Sequence, residues 1–175
     1  MSAVDLVAAE INIMIVDDKV ENLHLLSKML TQHQYKVRLA TSAALALKSI
    51  AVSSPDLILL DINMPDMNGY ELCRQLKSQP TTQDIPVIFI SAANQSFNKL
   101  EAFAVGGVDY ITKPFDVNET IIRIDNQLKI QAAKFQVKQI NQQLEIRVKE
   151  RTAKLQAEIE QIKLSETIAQ ETQSN

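Results

Sequence analysis

Residues 56–69 read DLILLDINMPDMNG. Residues 57–60 are apolar without a break and stop at an acid, Asp61. A strand wetted on one face alternates apolar and polar residues. An unbroken run suits a strand buried on both faces, as in a parallel sheet between two helix layers. Pro65, Asn68 and Gly69 then supply turn and helix-start chemistry. The same grammar recurs on both sides. Residues 11–16 (INIMIV) end at Asp17-Asp18, residues 86–90 (PVIFI) end at Ser91, and residues 108–111 (VDYI) are followed by Lys113-Pro114; residues 37–40 make a weaker strand. Amphipathic stretches lie between them. Residues 20–31 carry Leu23, Leu26, Met29 and Leu30 at helical spacing, residues 42–52 open on Ser42 as an N-cap, and residues 69–77 read as a third helix. Residues 94–105 read as a fourth, stopped by Gly106-Gly107, and helix resumes at Asp116. Five strand–helix alternations predict an α/β fold, a doubly wound five-stranded parallel sheet with right-handed crossovers.

Composition narrows the class. The 175 residues hold room for one domain and an appendage. With 46% apolar and 22% charged residues the chain has enough material for a core. A net charge of −3 argues against a general nucleic-acid binder, which needs a basic face for phosphates. A single cysteine, Cys73, forms no internal disulfide and reads as a small apolar filler. No apolar run approaches the ~18 residues of a membrane span, so the expectation is a soluble, cytoplasmic protein without membrane attachment. All three glycines and all five prolines precede residue 115. The chain therefore divides into an N-terminal extension (1–10), a turn-rich globule (11–130), a long helix (131–164) and a frayed polar tail (165–175).

Ligand sites in open α/β sheets form outside the carboxyl ends of the strands. Here those ends carry Asp17, Asp18, Asp61, Ser91 and Lys113. Clustered carboxylates repel one another, and a divalent cation relieves the repulsion. Oxygen-only ligands suit Mg²⁺. A cation, a lysine and a hydroxyl together make a pocket for phosphoryl oxygens, and a carboxylate can itself be the nucleophile. Asp61, alone at the end of the central strand, is the candidate. Taken singly, each residue has a plainer reading: Asp17-Asp18 as a helix cap, Asp61 as a turn acid, Ser91 as another cap. His24 and His33 have no ligand partner at metal spacing and read as ordinary surface or partly packed residues.

The segments 13–18 (IMIVDD), 56–69, 87–92 (VIFISA) and 101–115 (EAFAVGGVDYITKPF) together resemble the receiver domains of response regulators in two-component signalling, over roughly residues 11–130. The resemblance implies a flavodoxin-like fold and a histidine kinase or phosphotransfer protein as phosphoryl donor. It implies Asp61 as phosphoacceptor, with Asp17, Asp18, Asp61 and the backbone carbonyl of Asn63 holding Mg²⁺. It implies Ser91 and Lys113 as phosphoryl contacts, Tyr110 as the switch aromatic, and a cis Lys113–Pro114 peptide. Asn63 and Ala93 occupy positions that tune phosphate lifetime in the family. Such a protein accepts a phosphoryl group and is no enzyme beyond its own phosphorylation and dephosphorylation. Dinucleotide and P-loop sites are excluded, because no glycine precedes residue 69.

The long helix is the unusual feature. Ile130, Ala133, Val137, Ile140 and Leu144 step by three and four, a coiled-coil seam. A second run, Val148, Leu155, Ile159, Ile162 and Ala169, is out of phase with the first by about one residue across residues 147–152. The expectation is a parallel homodimer through residues 130–164, with an antiparallel pair or a different partner chain as the alternatives. Residues 145–156 (EIRVKERTAKLQ) resemble linkers that join a receiver to an output domain such as a cyclase or a kinase. A constitutive dimerisation or adaptor module, and a receiver-plus-linker piece of a larger cyclase or hybrid kinase, are the competing readings.

Overall fold

The computed structural model of the chain describes residues 11–92 and 99–173. The expected N-terminal extension, Ala93 and the start of the expected fourth helix lie outside the described residues. The elements are β1 (Asn12–Val16), α1 (Val20–Gln32), β2 (Lys36–Ala40), α2 (Ala43–Val52), β3 (Leu57–Asp61), α3 (Gly69–Lys77), β4 (Val87–Ala92), α4 (Lys99–Ala104), β5 (Asp109–Lys113) and α5 (Val117–Gln173). The five strands form one parallel sheet in the order β2-β1-β3-β4-β5. That order is the flavodoxin-like one, with its switch point between β1 and β3.

Both faces of the sheet are apolar, which is why the strands read as unbroken runs. Met14, Val16, Ile58, Leu60, Val87 and Phe89 pack against α2, α3 and α4. The alternate residues Ile13, Ile15, Leu57, Leu59, Ile88 and Ile90 pack against α1 and, through Ile124, against α5. Cys73 is fully buried in the first of these cores, as a small apolar filler should be. Register brings the strand ends to one edge: Val16 pairs with Ala40 and Leu60, Asp61 with Ile90, and Ala92 with Lys113. Lys113 is thus the last residue of β5 rather than a residue after it.

Local chemistry fixes the helix starts. The Ser42 hydroxyl accepts from the Leu45 N–H at 3.3 Å. Asn68 and Glu71 make a reciprocal capping box on α3, with both bonds at 3.0 Å. His33, at the C-cap of α1, sets its Nδ1 2.9 Å from the Met29 carbonyl. His24 and His33 are both exposed. The Lys113–Pro114 peptide is cis.

Two compact units divide the chain, one ending at Gln131 and one beginning at Ala132. In the first, residues 117–131 of α5 complete the globule. In the second, residues 132–173 are a single helix, and every residue from 132 to 170 is exposed. Helix continues to Gln173, through the segment from residue 165 where fraying is expected from polarity alone. No glycine or proline interrupts it, and the Ser165 and Thr167 hydroxyls donate to the carbonyls of Ile162 and Lys163 at 2.8 and 2.9 Å. Among the described residues no helix is long and apolar enough to cross a membrane.

Candidate functional site

The switch point places Asp17, the residue after β1, beside Asp61, the last residue of β3. Both are buried, at 0% and 4% exposure. Each carboxylate is anchored by the backbone near it. Asp17 Oδ1 accepts from the N–H of Lys19 at 2.8 Å, but Lys19 is itself the N-cap of α1 and no side chain caps that helix, so Asp17 lies before the cap and is not the helix cap of its plainer reading. Its Oδ2 accepts from Asn22 Nδ2 at 2.9 Å. Asp61 Oδ2 accepts from the Asn63 N–H at 2.9 Å. Lys113 reaches across from β5 and bridges the pair, its Nζ 2.7 Å from Asp61 Oδ1 and 2.9 Å from Asp17 Oδ2.

Two buried oxygens at this edge lack a hydrogen-bond partner: Asp18 Oδ1 and Ser91 Oγ. Ser91 follows Ile90, the residue that pairs with Asp61. A buried polar atom left unpaired costs on the order of 1–3 kcal/mol, so such atoms point to a missing group. One oxygen from each of Asp17, Asp18 and Asp61 lies within 4.8 Å of the others. This all-oxygen donor set, with an orphaned carboxylate oxygen in it, fits a small hard divalent cation.

Electrostatics show the strain of the arrangement. Burial pushes the Asp61 carboxyl above its ordinary value. Asp17 adds to that push, while Lys113 and the Asn63 N–H only partly offset it. Burial works against the charge on Lys113, but its bonds to the two carboxylates outweigh burial and hold it above the usual lysine value.

Tyr110 lies one strand over, half-buried, with its partner across the ladder being Phe89. Its ring centre is 4.6 Å from Lys99 Nζ and 5.5 Å from Arg123 Cζ. Arg123 also bonds Asp109 and Glu119, each at 2.8 Å. The structure therefore brings Asp17, Asp18, Asp61 and Lys113 together, sets Ser91 on the adjacent strand end, and leaves Tyr110 outside the cluster. Sequence reasoning missed Asn22 and Arg123. The Glu119–Arg123 spacing was a legible sign of a helix-surface ion pair. Nothing in the sequence singles out Asn22, which touches Asp17 only because the first turn of α1 faces back over the strand end.

Residues 13–125 match the model of the response regulator receiver domain family. The chain is a member of that family. The receiver domain of NtrX from Brucella abortus superposes with a TM-score of 0.63 and 29% identity, over 67% of this chain and 98% of that one. The response regulator PleD of Caulobacter vibrioides is 41% identical over 104 residues, 59% of this chain and 23% of its own length. A Vibrio cholerae protein described as "Probable cyclic di-GMP phosphodiesterase" is 36% identical over 155 residues, 89% of this chain and 34% of its own length. This chain thus spans about a third or less of those two relatives. The 155-residue likeness is longer than the receiver segment; even one starting at Met1 would reach residue 155, well inside α5.

Proposed function

We propose that Asp61 is the phosphoacceptor of this receiver and that the chain works as a phosphorylation-controlled switch. The observation that carries the reading is the surrounding of Asp61: Lys113 at 2.7 Å, with Asp18 Oδ1 and Ser91 Oγ unpartnered at the same sheet edge. A phosphoryl group and a cation would satisfy both orphaned atoms.

The donor is a phosphohistidine on a histidine kinase or phosphotransfer protein, and the reaction takes place in the cytoplasm. A carboxylate oxygen of Asp61 attacks phosphorus. A P–O bond forms, the P–N bond breaks, and its electron pair returns to the imidazole nitrogen, which takes up a proton. Lys113 holds positive charge beside Asp61 for the phosphoryl oxygens. Ser91 donates its free hydroxyl to one of them. Asp17, Asp18, Asp61 and the Asn63 carbonyl would hold Mg²⁺. When bound, that ion supplies the charge neutralisation that phosphoryl transfer requires. Tyr110 then follows Ser91, as the family resemblance implies. The chain takes part as phosphoacceptor and has no turnover chemistry beyond its own phosphorylation and dephosphorylation.

The test is intact-mass analysis after incubation with acetyl phosphate. The wild type should gain a single phosphoryl group with Mg²⁺ and lose the ability with EDTA. Asp61→Asn should gain none. An unmodified wild type, or an Asp61→Asn protein that is still modified, would contradict the reading.

The likeness that runs into α5 favours one extension. Residues 130–164 form a parallel homodimer, and the helix links the receiver to an output domain of a longer protein, of cyclase or phosphodiesterase type.

A further inference from the structure

The helix beyond Gln131 carries seven of its eleven large exposed apolar residues on one line that repeats every eleven residues, not seven; Phe135, Ile146, Leu164 and Ile168 lie off it. With a seven-residue seam through Val137 and Ile140, the positions after Leu144 are Arg147, Arg151, Lys154, Glu158 and Gln161, all polar. With a period of eleven the apolar line continues. Ala133, Leu144 and Leu155 occupy one position, and Val137, Val148 and Ile159 the next. Ile140 and Ile162 occupy the third, with Arg151 between them. At about 3.67 residues per turn these three positions fall within roughly 35° of one line along the helix. The apparent slip across residues 147–152 is then no slip, because the steps 4, 3 and 4 simply repeat. The larger side chains of this line stand half out in solvent, from 50% for Leu144 and Ile159 to 62% for Val148.

We infer that this eleven-residue line is the contact surface for a second copy of the chain, paired in parallel and in register, with Arg151 as its single polar layer. The inference rests on the homodimer proposed above and specifies its seam. The flanking charges commit the occupant. In a parallel pair the residue before one seam position meets, on the second copy, the residue five places on. Here those pairs are Gln136 with Asn141, Arg147 with Thr152, and Glu158 with Lys163. One pair is of opposite charge and none is of like charge. An antiparallel pair centred on the same seam brings Lys134 within a turn of both Glu160 and Lys163 of the second copy and so has no such unopposed match. An eleven-residue repeat also winds the pair in a shallow right-handed sense, opposite to a heptad coil. Arg151 interrupts the seam once, as a layer that fixes register at a cost in affinity.

Cysteine cross-linking in the full chain tests this, alongside sedimentation. Cys73 is buried and stays out of the reaction. Val148→Cys and Ile159→Cys, on the eleven-residue line, should each cross-link to the same position of the second copy. Lys154→Cys, on the heptad line only, should cross-link about tenfold less, because its Cα atoms stand beyond disulfide reach. Efficient cross-linking of Lys154→Cys but not Ile159→Cys, in a dimer, would overturn the eleven-residue seam and leave the homodimer standing. Cross-linking at Val148→Cys alone would make the pair antiparallel and overturn the inference. A monomer at all concentrations with no cross-linking would sink the homodimer and the seam together.

Discussion

At the residue scale, the atoms that lack partners say most. Ser91 Oγ is buried and unbonded, whereas the equally buried Thr82 Oγ1 donates to the Leu76 carbonyl at 2.6 Å. Removing a hydroxyl that makes no bond forfeits nothing in the unphosphorylated fold. Ser91→Ala should therefore be neutral or slightly stabilising in urea unfolding, while Thr82→Val should lose about 1 kcal/mol, because the Leu76 carbonyl keeps only the longer bond from the Gln79 N–H at 3.4 Å. A large loss in Ser91→Ala would show that the hydroxyl is structural. Cys73 is the opposite case, a buried group that has its partner. Burial pushes its thiol from an ordinary 9.0 up to about 11, and its Sγ donates to the Val105 carbonyl at 3.4 Å. The folded thiol thus keeps its proton where the unfolded one loses it. Its contribution to stability is complete below pH 9 and is lost as pH rises toward 11. Iodoacetamide at pH 8 should leave Cys73 untouched in the native protein and label it fully in denaturant; rapid native labelling would contradict the burial.

At the scale of elements, the decisive contact is between α3 and the end of β3. A Cβ on Gly69 would sit 2.4 Å from the Asp61 carbonyl oxygen and 2.9 Å from Ile62 Cα. Both are backbone atoms and cannot swing aside. Gly69→Ala should lose about 1–3 kcal/mol and, by shifting Asp61, slow acetyl-phosphate labelling. Normal labelling with unchanged stability would mean that α3 can move freely relative to the site. The strands and the strand-end acids were legible because the sheet is buried on both faces, which writes each strand as an unbroken run with its punctuation at the end. The limits of β5 were less legible. Residues 109–113 (DYITK) mix polar and apolar types, since only Ile111 is fully buried there, so Lys113 reads from sequence as lying past a strand that it in fact ends. The bridge of Lys113 across two carboxylates was also invisible, because it depends on register between strands distant in sequence.

At the scale of the whole molecule, the core lies within residues 13–124 and the tail makes its own unit from Ala132. A chain ending at Gln131 should keep its unfolding transition and its acetyl-phosphate labelling and should sediment as a monomer. Failure of that shorter chain to fold would show that the tail contributes to the globule. Chain length and the absence of glycine and proline made the long helix legible. Its period was harder to read, because seven and eleven residues agree over the first three turns, from Ala133 to Leu144, and part only at Arg147.

The most direct test of the phosphoacceptor reading is chemical localisation. The protein is labelled with acetyl phosphate and Mg²⁺, reduced with borohydride, digested, and sequenced by tandem mass spectrometry. An acyl phosphate on Asp61 is reduced to homoserine, and homoserine in place of Asp61, and at no other acid, is the expected result. Homoserine at Asp17 or Asp18, or an unreduced Asp61 in a protein that carries phosphate, would contradict it.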